Sequence, residues 1–141
     1  MRANKNSGFS LLELMVVVAI VALLAALAYD NYSRYAFRSR RVDGQNLLTS
    51  IAAAEQRYYT NYNSYSGTIT GNTSGSLNFN TAVSKYYTAS ANVTSAGQSY
   101  TLTATPIATG SQAKDKCGSL TLTDTGQKSA SPGDTSNGSC W

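Results

Sequence analysis

The chain has no histidine, only two cysteines and few charged residues. Without histidine it cannot hold a histidine-based catalytic triad, a histidine-ligated metal ion or an imidazole acid or base. Two cysteines are too few for a four-thiolate zinc site. Charged residues make up 13% of the 141 residues, and serine, threonine, asparagine, glycine and ten tyrosines supply the polarity instead. This composition is typical of a single domain from a secreted or surface protein rather than of a cytosolic enzyme.

A long apolar segment begins near the start of the chain. Residues 9–29 form a run of 21 with one charge, Glu13. As a helix this run spans about 31 Å, enough to cross the hydrocarbon core of a bilayer. Residues 1–8 carry two basic residues and no acid, so this end stays in the cytoplasm and the rest of the chain lies outside it. The sequence predicts a membrane-spanning start joined to a water-soluble body.

Three interpretations of this start are open. It resembles a secretory signal peptide with a cleavage site at residues 26–28, an uncleaved signal anchor, or a leader cut between Gly8 and Phe9 so that the apolar helix is kept. A carboxylate costs about 2.5 to 3.5 kcal/mol in the middle of a bilayer. A disposable signal or a passive anchor gains nothing from Glu13, whereas a helix that later docks against copies of itself can pair it with a cation.

The residues around this point resemble a known family. The run from Gly8 to residue 19, GFSLLELMVVVA, closely resembles the start of type IV prepilins and related pseudopilins, in which a basic leader ends in glycine and is followed by phenylalanine, a hydroxyl residue, two aliphatic residues and glutamate. The resemblance implies that a prepilin peptidase cuts after Gly8 and N-methylates Phe9. We expect Glu13 of a neighbouring subunit to neutralise the new amine of Phe9 in a filament. Removal of residues 1–8 lowers the net charge from +4 to +2.

The helical pattern continues well beyond the apolar run. The next strong turn signals lie at residues 61–67, so residues 9–62 are predicted to form one helix, apolar all round to residue 29 and amphipathic over residues 30–62. Its apolar stripe consists of Phe37, Leu47, Leu48, Ile51, Tyr58, Tyr59 and Tyr62. Glu55 lies within this stripe, and we expect it to reach the rim or to pair with a basic group.

Four arginines follow the apolar run: Arg34, Arg38, Arg40 and Arg41. They form a candidate electrostatic contact. One interpretation is a solvated face that is attracted to anionic lipid head groups. Ion pairing between subunits of a filament is a second. Contact with DNA is a third, and it is the weakest because arginines without a base-stacking arrangement are a poor nucleic-acid signal.

The rest of the chain predicts a sheet. Residues 63–85 are polar and rich in glycine, serine and threonine, which indicates a long loop. Strand patterns follow at residues 86–93, 99–105 and 118–123, with a short fourth strand starting at residue 127. The spacers at residues 94–99 and 106–117 allow successive antiparallel pairing. Alternation places Tyr100, Leu102, Ala104, Leu120 and Leu122 on one face, which the helix stripe covers. The predicted fold class is α+β.

Cys117 and Cys140 are predicted to pair. The topology places both thiols outside the cytoplasm, where disulfides persist. A redox-active pair or a metal site is disfavoured, because redox pairs are normally closer in sequence. The bridge would hold the C-terminal loop against the sheet.

The second half of the chain also resembles pilins. The strings YTLTATPI (residues 100–107) and DKCGSLTLTDTG (residues 115–126), with the closing Cys-Trp, are similar to PilE-type minor pilins of the type IVa pilus. The resemblance implies the pilin fold: a spine helix, an αβ-loop over residues 63–85, and a sheet with a disulfide-closed loop over residues 86–141.

The resemblance also implies a function. It is that of a structural subunit, processed as a single-pass protein of the bacterial inner membrane with its C-terminus in the periplasm, and then polymerised into an extracellular pilus for pilus biogenesis, twitching motility, adhesion or DNA uptake. The implied partners are other pilin subunits, the prepilin peptidase, the inner-membrane assembly machinery and, before assembly, the membrane. No cofactor or metal is expected, and no paired carboxylates, nucleophile elbow or phosphate loop indicates an enzyme.

Three alternatives stay open. The subunit could be the abundant major pilin, or a pseudopilin of type II secretion. Those pseudopilins usually carry a calcium loop, but Asp115, Asp124 and Asp134 are too scattered to predict one. A DNA-binding pilin is the third alternative, and it rests on the arginine cluster with Lys114 and Lys116.

Overall fold

One long helix begins the fold. The computed structural model describes residues 9–81 and 84–141, so the predicted leader lies outside the described residues. The chain divides into two compact units, Met1–Arg34 and Tyr35–Trp141. Helix α1, Leu11–Tyr62, is 52 residues long and contributes to both. It begins two residues later than the sequence predicts and ends at the predicted residue.

The helical part of the first unit is apolar and uncovered. Every residue of α1 from 11 to 29 is exposed, and large side chains such as Leu11 and Leu27 are 77% and 70% exposed. By length and composition α1 can cross a membrane. Exposed apolar area on this scale is unfavourable in water and requires lipid or another protein surface to cover it.

The second unit contains a four-stranded antiparallel sheet. Its strands are β1 (Tyr87–Thr94), β2 (Ser99–Pro106), β3 (Gly118–Thr123) and β4 (Lys128–Pro132). They lie in sequence order, and each pairs with the next as a meander. The predicted strands are confirmed: β3 has the predicted bounds, and the predicted bounds of the other strands shift by at most one residue. Four residues connect β1 to β2 and β3 to β4, whereas an eleven-residue segment with a 3-10 helix connects β2 to β3. Antiparallel neighbours can be joined by connections as short as a tight turn.

The core lies between the sheet and the second half of α1. Leu102 and Leu120 point from the sheet and are fully buried, and Leu48 meets them from the helix. Burial of each such side chain contributes about 1.5 to 3 kcal/mol. Gly44 permits a close approach, because a Cβ there would lie 3.0 Å from the ring of Tyr87. The predicted stripe is correct over Leu47, Leu48 and Ile51 but fails at Tyr62, which is 65% exposed and stacks on Tyr58.

The outward face of the sheet carries no charge. Its side chains alternate with the buried ones along every strand. In the strand register they form rows of hydroxyl and amide groups: Thr88, Ser90, Asn92, Thr94, Ser99, Thr101, Thr103, Thr105, Ser119, Thr121, Thr123, Ser129 and Ser131. Some hydroxyls contact each other across strands, as Ser119 does with Thr105 at 3.5 Å.

The αβ-loop is tied to the helix by a buried carboxylate. Glu55 is 0% exposed, and its Oε2 accepts a hydrogen bond of 2.8 Å from the backbone N–H of Ser66. The expectation that Glu55 reaches the rim or pairs with a base is therefore wrong. The loop supplies a backbone donor instead, while Oε1 is buried without a partner in the described residues.

The predicted disulfide is confirmed. Cys117 at the start of β3 is bonded to Cys140, with their Cα atoms 5.5 Å apart. Both cysteines are buried in the core cluster. The bridge closes the segment after β4, which has little apolar surface of its own, onto the sheet.

Candidate functional site

The first candidate site is the exposed start of α1. Glu13 lies in the first turn of the helix, and it is the single charged residue between residues 9 and 29. Phe9 precedes the helix and is 79% exposed. Gly8 lies outside the described residues. Among residues 9–81 and 84–141, no ion pair engages the Glu13 carboxylate, so it can attract a cation from another molecule.

The arginine cluster does not act as one solvated face. Arg41 is 1% exposed, and its guanidinium forms a two-pronged ion pair with Asp115, at 2.7 Å from Nε to Oδ2 and 2.6 Å from Nη2 to Oδ1. Arg41 also donates to the side chain of Asn137 and, at 2.7 Å, to the carbonyl of Ser139. The interpretation of Arg41 as a solvated or intermolecular contact is corrected, because its charge is used inside the chain.

Asp115 is the acceptor at the centre of this network. Asn137 donates to its Oδ1 at 2.9 Å, and buried Gln112 donates to its Oδ2 at 2.7 Å. Burial raises the pKa of Asp115, but the hydrogen bonds from Arg41, Asn137 and the Cys117 backbone outweigh burial and hold the pKa below its usual value. The network therefore contains a stable carboxylate–guanidinium pair.

Tyr87 completes the buried network. Its hydroxyl accepts a 3.0 Å hydrogen bond from Gln112. Burial is the main cause that raises the pKa of Tyr87 to about 12, so it stays neutral at physiological pH. The side chain is structural rather than an acid or base.

The remaining arginines are accessible. Arg34 is exposed. Arg38 is also exposed, and its Nε donates to the backbone carbonyl of Asn137 at 3.2 Å. Gly138 has a φ of +105°, which L side chains rarely adopt, so this position favours glycine, and a Cβ there would also displace the guanidinium of Arg38. Arg38 therefore contacts the C-terminal loop, while its side chain stays exposed at the surface.

A cation–aromatic cluster lies where β1 begins. The guanidinium of Arg40 is 5.3 Å from the ring centroid of Tyr86, and the ammonium of Lys85 is 5.7 Å from it. Asp43 fixes this arrangement, since its Oδ2 accepts from Ser84 Oγ at 2.7 Å and from the backbone N–H of Lys85 at 3.2 Å. We call Arg40, Lys85 and Tyr86 the cation–tyrosine cluster. Two cations beside one aromatic ring can bind an anionic, partly aromatic ligand.

Further cations lie close to the buried network in sequence. Lys114 and Lys116 flank Asp115 and are exposed, and Lys116 makes only a 3.9 Å surface ion pair with Asp134. Lys128 lies 5.2 Å from the ring of Trp141. These side chains are free to meet an external anion because surface pairs contribute little.

The second unit has a positive surface. It contains eight basic and five acidic residues. Because the Arg41–Asp115 pair and Glu55 are buried, seven basic and three acidic residues remain to act outward. Over residues 9–81 and 84–141, no group of three or more histidine, cysteine, aspartate or glutamate residues could hold a metal ion.

Sequence reasoning missed the buried charges, although a signal was present. Arg41, Leu48 and Glu55 follow each other at intervals of seven, which places them on one helix face. Both charged residues of this series are buried beside Leu48. The cation–tyrosine cluster was also missed, because it joins residues separated by more than forty positions.

Two family models match consecutive parts of this chain. The family model described as "Type IV minor pilin ComP, DNA uptake sequence receptor" matches residues 30–121, and the model of the prokaryotic N-terminal methylation motif matches residues 3–29. A solved type IV pilin from Shewanella oneidensis is 26% identical, with 65% of this chain and 89% of that chain covered and a TM-score of 0.49. No curated protein matches.

The ComP family model covers well over half of the chain, including the second half of α1, strands β1 and β2, and the first four residues of β3. The methylation motif covers the apolar start, and the fold is a spine helix on an antiparallel sheet closed by a disulfide. Pilins are structural proteins of filaments. The chain therefore belongs to the family of ComP-type type IV minor pilins.

Proposed function

We propose that this chain is a fibre subunit that is anchored in the bacterial inner membrane by residues 9–29 and later buries the same segment in the core of a type IV pilus. The uncovered apolar surface from Leu11 to residue 29 carries this proposal. A bilayer and a bundle of identical helices both cover such a surface. Other pilin subunits and the inner-membrane assembly machinery are the partners that this role requires.

Processing comes before assembly. We infer that the prepilin peptidase removes residues 1–8 between Gly8 and Phe9 and methylates the new amine of Phe9. The match of the methylation motif to residues 3–29 supports this step. Cleavage leaves a chain of 133 residues with its cationic amine four residues from Glu13.

The experiment follows the chain through this pathway. Cells are sheared, and the membrane and fibre fractions are blotted for the subunit. The processed chain is expected in both fractions, whereas Gly8→Glu is expected as a longer chain in the membrane only. A short chain in the fibres of the Gly8→Glu strain would contradict the proposed cleavage site, and absence of the wild-type chain from all fibres would contradict the role in the pilus.

A second function is supported by a separate observation. We propose that the second unit binds DNA through the cation–tyrosine cluster, with Arg38, Lys114 and Lys116 as further phosphate contacts. The cluster places the exposed Lys85 and the half-buried Arg40 beside the half-buried ring of Tyr86. An aromatic ring can stack on bases or sugars while the cations meet phosphates. The printed description of the family model, a DNA uptake sequence receptor, points to the same ligand.

Salt dependence tests this second function. Fluorescence anisotropy of a labelled duplex is measured against the mature chain in detergent at several salt concentrations. Each phosphate contact contributes a slope of about −0.9 in a plot of log K against log salt concentration, so Arg40→Ala with Lys85→Ala should make the slope shallower by about 2. Arg57→Ala, at an exposed helix position, is the matched control. If the wild-type chain does not bind the duplex at low salt, the DNA function is wrong.

A further inference from the structure

A groove in the αβ-loop is formed by two loop segments that run side by side. Leu77 N–H donates to Thr68 O and Phe79 N–H donates to Ile69 O, both at 2.9 Å. The hydroxyl of Ser76 donates to Thr70 O at 3.0 Å. Ile69 is buried and anchors the loop to the core. The groove is therefore preformed, which lowers the entropy cost of binding a ligand.

The groove has the size of a small-ligand site. Its volume is about 350 Å³, within the usual range for such sites. We call it the loop groove. It is lined by Thr70, Gly71, Asn72, Asn78, Phe79, Asn80 and Thr81.

The lining is polar but uncharged. Residues 63–84, a run of 22, contain no charged residue. A charged ligand would lose hydration here without gaining a counter-charge. The groove therefore disfavours the phosphodiester that the cation–tyrosine cluster attracts, and the two surfaces serve different ligands.

The lining groups match a polyhydroxylated ligand. Each asparagine amide offers two donors and an acceptor. In the described part of the chain, no hydrogen bond engages the side-chain amides of Asn72 and Asn78, so these groups are available to a ligand. Phe79, half-buried against the core, adds an aromatic surface to the groove. Hydroxyl groups in equatorial positions pair with amides, while the C–H face of a sugar ring packs on an aromatic ring.

We propose that the loop groove binds one unit of a neutral saccharide. This gives the subunit a ligand of a different class from DNA, at a separate position in the same unit. Asn72 and Asn78 are the hydrogen-bonding residues, and Phe79 is the stacking residue.

The test uses the mature full-length chain in a detergent without a sugar head group, because a glycoside detergent would compete. Saturation-transfer NMR is recorded with glucose, galactose, N-acetylglucosamine and lactose at millimolar concentrations, and with sialyllactose as the charged comparison. Saturation transfer to at least one neutral sugar is expected, and it should exceed that to sialyllactose. No transfer to any neutral sugar, or stronger transfer to sialyllactose, overturns the proposal.

Two variants locate the binding. Asn72→Ala combined with Asn78→Asp should weaken binding at least tenfold; aspartate tolerates the φ of +50° at residue 78. Asn92→Ala, on the outward face of the sheet, is the matched control and should bind normally. Unchanged binding in the groove variant overturns the proposal. A groove variant that loses incorporation into fibres but keeps sugar binding assigns the groove to a second copy of the chain and also overturns it.

Discussion

Arg41 brings a full charge into the interior of the second unit, where it contacts Asp115 and the C-terminal loop. A buried ion pair is weak evidence for stability, because desolvation offsets much of the attraction. Its geometry still selects one arrangement: the guanidinium meets the carboxylate with two bonds and also bonds the carbonyl of Ser139. Arg41 therefore fixes where the disulfide-closed loop lies against the helix.

Replacement of Arg41 tests this role. Arg41→Met should lower the free energy of unfolding by about 3 to 5 kcal/mol, because it leaves the Asp115 carboxylate buried without a partner. Urea unfolding followed by the fluorescence of Trp141, the single tryptophan, measures the change, with Arg57→Met as the control. Addition of Asp115→Leu should recover part of the loss. A cost for Arg41→Met no larger than that of the control would contradict a structural role for the pair.

Glu55 and Asp115 both make the stability of the second unit depend on pH, with opposite signs. Burial raises the pKa of Glu55 above 4.5, although the Ser66 hydrogen bond lowers it in part. The folded chain then binds the proton more tightly than the unfolded chain, so stability falls as the pH rises from 4.5 through the raised pKa. Asp115 has a lowered pKa, so its contribution is present above its usual value of 3.8 and is lost as the pH falls through the folded-state value.

The Glu55→Gln variant separates these two effects. An amide keeps an acceptor for the Ser66 N–H but carries no charge, so the variant should be more stable than wild type at pH 7 by about 1 kcal/mol. The advantage should vanish near pH 4, where the wild-type carboxyl is protonated. Urea unfolding at a series of pH values makes the measurement. An advantage that is equal at both pH values would show that the charge of Glu55 is not the cause.

At the scale of elements, the local sequence pattern was sufficient to predict the helix and the strands. Alternation of apolar and polar residues identified Leu102, Ala104, Leu120 and Leu122 as one face, and all four are buried. The same pattern could not reveal the partners of the buried charges, because Arg41 and Asp115 are separated by 74 positions. Arg41 was interpreted as part of a solvated face or an intermolecular contact, whereas the structure supplies the Asp115 carboxylate as its partner. Glu55 was expected at the rim or paired with a base, whereas it accepts from the backbone N–H of Ser66.

The disulfide holds the segment after β4 against the sheet, because this segment has little apolar surface of its own. The loop that it closes spans 23 positions, and a chain-entropy estimate for such a loop is about 3.5 kcal/mol. Cys117→Ala combined with Cys140→Ala should lower the free energy of unfolding by about this amount. Hydrogen exchange should rise in residues 133–141 and at β4, while the β1–β2 hairpin keeps its protection. Uniform loss of protection over the sheet would contradict a local role for the bridge.

At the scale of the whole molecule, charged residues are distributed unevenly among three parts of the chain. The run from residue 9 to residue 29 has one acid and no base, the surface of the second unit has more bases than acids, and residues 63–84 have neither. The apolar start needs a lipid or protein partner, the basic surface suits a polyanion and the uncharged loop suits a neutral ligand.

We expect the Glu13 carboxylate to have different surroundings in the membrane and in the fibre. A carboxylate in a membrane costs roughly 2.5 to 3.5 kcal/mol at the bilayer centre and less near its edge, and Glu13 is the fifth residue of the apolar run. In a fibre we expect it to pair with the cationic amine of Phe9 from a neighbouring subunit. Glu13→Ala should therefore leave cleavage and membrane insertion intact but remove the subunit from sheared fibres, since the unpaired amine costs about 3 to 5 kcal/mol in the apolar core. Glu13→Asp keeps the charge and should retain part of the incorporation. Immunoblots of membrane and fibre fractions measure both variants, and a normal amount of Glu13→Ala in the fibres would contradict the pairing.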